Sequence, residues 1–243
     1  MNKTFIIILA GLISSLSIQA QSLQTSAGIE VGIVNKLNGF VEGEYRTLDG
    51  VSGTERWEGA LGLEYKVLPY LKLIGGYVYI HQQRELEITK KGNIIPAYWQ
   101  PKHRAFFAVT GSYQWERFTF SLRERYQYTY RTEQYVAKLN DDGITPKEDE
   151  WVEAKGKHIL RSRLEVEYHI KKTKFTPYAF YEVYNSFSDG FSVDKSRYTI
   201  GAKYKFNKKH SVQLYYRYID KTDDDEAAGH IIGIGYKFKL KNR

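Results

Sequence analysis

The sequence predicts an all-β fold: an antiparallel transmembrane β-barrel of the outer-membrane type, with about ten strands, short periplasmic turns and longer external loops. Three observations predict it. Apolar and charged side chains alternate with a period of two along most of the chain. The stretches that alternate are joined by connections that are long and short in turn. Aromatic residues make up 15% of an otherwise polar chain, with 21 Tyr among them.

The alternation is clearest in residues 160–170, LRSRLEVEYHI. Leu160, Ser162, Leu164, Val166, Tyr168 and Ile170 fall on one side; Arg161, Arg163, Glu165, Glu167 and His169 fall on the other. On a strand, successive side chains point to opposite faces, so the segment has one apolar and one charged wall. At 3.6 residues per turn a helix would smear the charges round its surface. The mean hydropathy of −0.51 does not argue against a membrane barrel, because alternating strands escape hydropathy windows. A soluble exported barrel of lipocalin type is the rival, with the same stripe turned inside.

The N-terminus predicts export. Lys3 supplies a positive n-region, residues 5–13 an apolar h-region, and Ile18-Gln19-Ala20 a cleavage site before Gln21. The apolar run is too short to cross ~30 Å of hydrocarbon as a helix. Residues 1–20 are therefore expected to be a signal peptide and residues 21–243 the barrel. The chain has no cysteine, which excludes a lipid-anchored lipoprotein and leaves packing alone to hold an exported domain. The net charge is +8, and Lys3 departs with the leader. Acidic residues are interleaved with Arg on the same strands, which argues for internal pairing and against a nucleic-acid partner.

Each element follows in order. Residues 27–34 alternate (Ala27, Ile29, Val31 and Ile33 against Gly28, Glu30 and Gly32), and NKLNG turns the chain. Residues 39–46 carry Glu42, Glu44 and Arg46 opposite Val41 and Tyr45. After a polar loop at 47–54, residues 56–65 set Trp57, Leu61, Leu63 and Tyr65 against Arg56, Glu58 and Glu64. Pro69 turns into residues 70–81, where both faces are apolar and the outward one is not legible. A long loop spans 82–101, with a hairpin extension expected around 86–89. Residues 104–115 place Ala105, Phe107, Val109, Tyr113 and Trp115 opposite Arg104, Thr110, Ser112 and Gln114. A tight turn at Glu116-Arg117 leads to residues 118–130, with Arg123 and Arg125 on the polar face. Glu124 falls on the apolar face, where a carboxylate is costly, so a bulge or a rim position is expected there. The longest loop spans 131–157. Beyond 160–170, a basic turn at 171–174 leads to residues 175–184, with Glu182 inward. Residues 197–206 place Arg197, Lys203 and Lys205 opposite Tyr198, Ile200 and Tyr204. Residues 211–219 place Arg217 inward. An acidic loop at 220–229 precedes the last strand, 230–240.

Long connections after Arg46, His81, Tyr130, Tyr184 and Ile219 alternate with tight ones, the rhythm of outer-membrane barrels. Outward aromatics gather at the strand ends: Tyr65, Tyr70, Trp115, Phe118, Tyr168, Phe175, Phe206 and Phe238 beside short turns, and Trp57, Tyr128, Tyr198 and Tyr218 beside long loops. Amphipathic rings seek the two membrane interfaces. About eleven stretches qualify as strands, whereas single-chain bacterial barrels have an even number. Ten is therefore expected, with residues 27–46 forming one bent strand or leaving the wall; twelve is the alternative.

Arg161 and Arg163 open a strand, and Thr176-Pro177-Tyr178, Glu182, Arg197-Tyr198, Gly201 and Tyr204 follow. With the leader and an early Glu-rich strand ending in Arg46, this pattern resembles the short outer-membrane barrels grouped as domain of unknown function 2490. The resemblance covers the mature chain and implies a fold and a location, with no established activity. One departure is the end of the chain, which runs past Phe238 with Lys239 to Arg243 where such barrels finish on an aromatic residue.

The expected site is the lumen. Glu42, Glu44, Arg46, Glu58, Glu64, Arg123, Arg125, Arg161, Arg163, Glu165, Glu167, Glu182, Arg197 and Arg217 would converge there, as a structural Arg–Glu network or as a lining that favours anions. No metal-ligand spacing occurs among the six His, and no cofactor or catalytic residue is expected. A Ser162–His158 pair near one rim is the sole candidate for a lipid-acting enzyme. The acidic run Asp223-Asp224-Asp225-Glu226 reads as solvated loop charge, or as a bridge to divalent cations at the lipopolysaccharide surface. Outer-membrane lipid, lipopolysaccharide and the barrel-assembly machinery are the expected partners.

Overall fold

The computed structural model describes residues 22–48, 53–188, 190–223 and 225–240. The expected leader and residues 241–243 lie outside them. Eleven strands close into one barrel. They are β1 (Ser22–Val34), β2 (Leu37–Leu48), β3 (Gly53–Leu68), β4 (Leu71–Arg84), β7 (Tyr98–Trp115), β8 (Phe118–Arg131), β11 (Lys155–Tyr168), β12 (Phe175–Ser186), β13 (Ser192–Lys205), β14 (His210–Ile219) and β15 (Gly229–Leu240). A separate four-stranded sheet, built from β5 (Glu87–Ile88), β6 (Ile94–Ile95), β9 (Gln134–Leu139) and β10 (Pro146–Val152), ties the two longest loops together. It includes the expected hairpin extension, with Glu87 opposite Ile95.

Eleven lies between the two strand numbers expected. Residues 27–46 are neither one bent strand nor outside the wall: they belong to β1 and β2, which pair as a hairpin about Lys36 in the left-handed region (φ 67°). The odd count is accommodated because β1 runs parallel to β15, from Ser22 opposite Ile231 to Val31 opposite Leu240. Every other barrel pair is antiparallel. One parallel seam is what an odd ring requires, and it leaves no strand edge unpaired.

The two faces separate as the alternation requires. Val41 (62% exposed), Ile200 (62%) and Leu164 (59%) cover the outside, while Glu182 (0%) and Arg46 (1%) lie within. On β4, Val78, Ile80 and Gln82 are buried inward, and the register, with Ala60 opposite Val78, fixes the outward side as Tyr77, Tyr79 and His81. Glu124 is neither bulged nor at a rim. β8 pairs with β7 and β11 in unbroken register, and the Glu124 carboxylate on the outer face accepts a 2.6 Å hydrogen bond from Ser162 Oγ. That donor gives the carboxylate a partner with no departure from the strand.

The lumen wall is layered. Four inward rings lie over glycines of the neighbouring strand: Phe40 over Gly62, Phe106 over Gly76, Tyr178 over Gly201 and Tyr215 over Gly233. A Cβ at Gly233 would sit 1.9 Å from the Tyr215 ring, and one at Gly76 would sit 2.8 Å from Phe106. Cations then stand over three of these rings, with the Arg125 guanidinium 3.8 Å above Phe106, Lys203 4.6 Å above Tyr178 and Arg217 4.9 Å above Tyr215. Glycine, ring and cation thus fill the wall in three tiers.

Two outcomes check this architecture. The native chain lacks cysteine, so T25C with I234C, directly opposite in the parallel seam, forms a disulfide on oxidation, while T25C with I232C does not; non-reducing gels read the difference. Gly233→Ala forces the Tyr215 ring out of its place and costs about 1–3 kcal/mol, measured by urea unfolding of the folded barrel.

Candidate functional site: a charged lumen closed by the acidic loop

The short turns lie at one rim of the barrel and the long loops at the other. At the long-loop rim, the loop joining β14 to β15 folds into the mouth. Asp223 organises it: its carboxylate accepts from the backbone N–H of Asp225 (3.0 Å) and Glu226 (2.8 Å) and from Lys195 Nζ (2.7 Å). Glu226 is 1% exposed and accepts from Arg46 at 2.5 Å and from Arg197, with Lys195 at 3.0 Å and Arg56 at 3.4 Å. Asp225 reaches Lys102 (2.9 Å) and Arg104 (2.7 Å) on β7, and its carbonyl accepts from Gln82 on β4 and Arg56 on β3. In the ring order β4 and β7 lie four and five strands from β15, so the loop spans the full width of the mouth.

This corrects the expectation for Asp223, Asp225 and Glu226; Asp224 lies outside the described residues. Asp223, Asp225 and Glu226 are not solvated loop charge or a surface cation bridge; they are the counter-ions of a basic ring inside the barrel. Burial opposes the charge on Glu226, but Arg197, Lys195, Arg46 and Arg56 outweigh it and hold the carboxyl well below the usual carboxylate range. Burial likewise opposes the charge on Asp225, and Lys102, Arg104 and Lys195 hold it well below that range too.

Beneath the plug a second carboxylate gathers arginines from neighbouring strands. Glu182 accepts from Arg123 (2.7 Å), Arg161 (2.9 Å), Arg163 (3.0 Å) and the Tyr184 hydroxyl (3.0 Å), with Arg197 at 3.7 Å. Arg197 therefore links the two hubs. On the opposite wall, Glu44 lies 3.5 Å from Arg46 and 3.6 Å from Arg56, and Glu58 lies 3.0 Å from Arg56. Towards the short-turn rim Lys203 joins Glu165 (3.1 Å) and Glu167, and Glu64 faces Lys72 at 3.7 Å. Arg217 is held by an amide, donating to Gln24 at 2.9 Å. Among the described residues neither Arg125 nor Glu42 forms an ion pair or a hydrogen bond.

All the sequence-derived lumen residues except Glu167 and Glu182 line one cavity of about 420 Å³. Side-chain exposure rises down the lumen, from 0% at Glu226 and Glu182 above the cavity through 18% at Arg163 and 30% at Lys203 to 49% at Lys237. The cavity is a vestibule closed at the long-loop rim and open to water at the short-turn rim. Arg56, Arg104, Lys203 and Lys237 also line it; their inward parity was the signal that could have added them. Lys102 and Lys195 share the same parity as anchors of the plug. Nothing in the sequence pattern could have added the loop carboxylates, which belong to no strand.

Ser162 and His158 are not brought together. Both face outward, Ser162 Oγ donates to Glu124, and His158 Nδ1 lies 2.6 Å from the Tyr126 hydroxyl. The same hydroxyl–imidazole pairing recurs in Tyr77–His103 and Tyr216–His230 at the long-loop end of the wall, each at 2.5 Å. These histidines belong to the outer aromatic belt.

Two further outcomes follow from the hubs. Glu182→Gln leaves clustered guanidinium groups without their shared counter-charge and costs about 3–5 kcal/mol, whereas Arg125→Gln relieves like-charge crowding and leaves stability unchanged or raised; urea unfolding compares them. For the plug, the folded carboxyl pKa values are depressed, so the docked loop binds fewer protons than the undocked one. The stabilisation of docking is therefore complete above an ordinary carboxylate pKa of about 4 and is lost only as pH falls through the depressed values. A fluorophore on A227C reports a docked loop unchanged between pH 8 and pH 5, with release confined to stronger acid.

The family model described as Protein of unknown function (DUF2490) matches residues 23–227. No curated protein matches the chain. A solved structure of the NanC porin, in a rhombohedral crystal form, is similar over 89% of this chain and 99% of that one, at 13% identity and a TM-score of 0.48. With its family model covering residues 23–227, well over half of the chain, the chain belongs to the DUF2490 family.

Proposed function

We propose that the protein is an integral outer-membrane barrel, exported through a cleaved leader and closed to through-flow in its resting state by its own loop. One observation carries the membrane reading: an apolar row on the outer face of the barrel points away from the lumen, with Val41, Ile200, Leu61 and Leu164 each more than half exposed. Apolar surface on this scale needs hydrocarbon to cover it. The aromatic ends of the strands suit the two interfaces. With short turns periplasmic, the sheet formed by β5, β6, β9 and β10 stands outside the cell, and Tyr135 (71% exposed) and Ile144 (82%) are available to a surface partner. The role is thus a structural or surface-interaction one. Heat-modifiable gel migration together with recovery in the outer-membrane fraction tests the location; a mature chain soluble without detergent overturns it.

A second reading is favoured by the cross-barrel span of the plug. Displaced, loop 220–228 would uncover the basic ring of Arg46, Arg56, Arg104 and Arg197, a lining that selects anions. In planar bilayers the native protein is expected to show no steady unitary conductance, and the D225A/E226A variant to conduct with anion preference. Steady conductance by the native protein removes the resting closure from the reading.

A further inference from the structure

Two side chains in the vestibule, of opposite charge, form no ion pair and no side-chain hydrogen bond among the described residues. Arg125 rests on Phe106, its Nε is buried without a hydrogen-bond partner, and it stands directly opposite Arg161 in the β8–β11 register, as Arg123 stands opposite Arg163. Of these four guanidinium groups, Arg123, Arg161 and Arg163 converge on Glu182, with Arg163 also 3.7 Å from Glu165, and Arg125 pairs with neither, so the block presents an excess of positive charge to the cavity. Glu42 also lines the cavity, on β2, four strands round the ring from β8, and it stands beside Glu44 and Glu58 on an acidic wall. Between the two walls, β4 and β7 contribute Ile74, Val78, Phe106 and Ala108 to the lining. The cavity therefore offers, in sequence round its wall, a carboxylate acceptor, an apolar strip and a guanidinium fork.

A simple anion entering this space would satisfy Arg125 and meet repulsion from Glu42, Glu44 and Glu58. A simple cation would meet the arginine block. A guanidinium fork matches a carboxylate geometrically, a lone carboxylate suits an ammonium, and an apolar strip suits a short hydrocarbon spacer. We propose that the vestibule is a binding site, reached from the short-turn rim, for a small zwitterion whose carboxylate and ammonium are separated by a short apolar chain. The carboxylate sits on Arg125, the ammonium on Glu42, and the spacer on the Val78–Phe106 strip. The site goes beyond the reading above: it requires only the folded barrel, and neither conduction nor a membrane address enters into it.

The test is calorimetric titration of the full mature chain, folded in detergent micelles, with glycine, 4-aminobutanoate and 6-aminohexanoate, and with butanoate and butylammonium as singly charged controls. One of the amino carboxylates is expected to bind at least tenfold more tightly than either control. Arg125→Gln and Glu42→Gln each lower that affinity tenfold or more, Arg125→Lys lowers it less, and in Glu42→Gln the amino carboxylate binds no better than butanoate. Heat-modifiable migration verifies that each variant is folded. Butanoate binding as tightly as the best amino carboxylate overturns the proposal in favour of a plain anion site. Binding of no probe to the folded native chain, or a preference that survives in Glu42→Gln, overturns it as well. If a variant does not fold, the native comparison of the amino carboxylates with the two controls decides alone.

Discussion

The pairing of the first strand with the last is the constraint on which everything else in the molecule depends. An open edge would leave a row of unpaired N–H and C=O groups, a template for pairing with other chains, and closure of the ring removes it. Ten antiparallel pairs bring the chain to β15 running in the same direction as β1, so the ring closes only by a parallel ladder, and Gln24 is carried inward by it. The lumen exists because of that closure. So does the plug: β15 is held in place on its far side by β1, and loop 220–228 is thereby aimed across the mouth at β4 and β7.

Inside the ring, electrostatics is a matter of sharing. Basic side chains outnumber the strand carboxylates near the long-loop rim, and each hub serves several cations at once. Glu182 and Glu226 are both fully enclosed, and each guanidinium around them donates to at least one acceptor, although the Nε of Arg46, Arg56, Arg123 and Arg161 is buried without one; sharing a carboxylate offsets part of the cost of burying these charges. Arg197 touches both hubs, so the wall network and the loop are one system. A loop that supplied no acid would leave Arg46, Arg56 and Lys195 facing one another in a confined space.

The tiers of glycine, ring and cation explain how a narrow barrel holds so many long side chains. A glycine removes one side chain from the wall, a ring from the next strand lies flat in the gap, and the cation rides on the ring instead of filling the centre. The space so released is the vestibule. Its exposed charges at the short-turn rim and enclosed ones beneath the plug give it a single entrance.

Alternation is a local property, and the sequence by itself determined everything that alternation controls: the class of fold, which side of nearly every strand faces in, the rhythm of turns, and the identity of Arg123, Arg161, Arg163 and Glu182 as lumen residues. It failed on β4, where both faces are apolar and only the register with β3 separates them, and on Glu124, whose partner Ser162 lies 38 residues away. The tertiary structure decided the strand number, because two hairpin strands in residues 27–46 become countable only when β1 finds β15, more than 200 positions on. It also decided that the acidic loop lies inside. A run of aspartates has no period that points anywhere, and its direction was set by Arg and Lys side chains collected from strands across the ring.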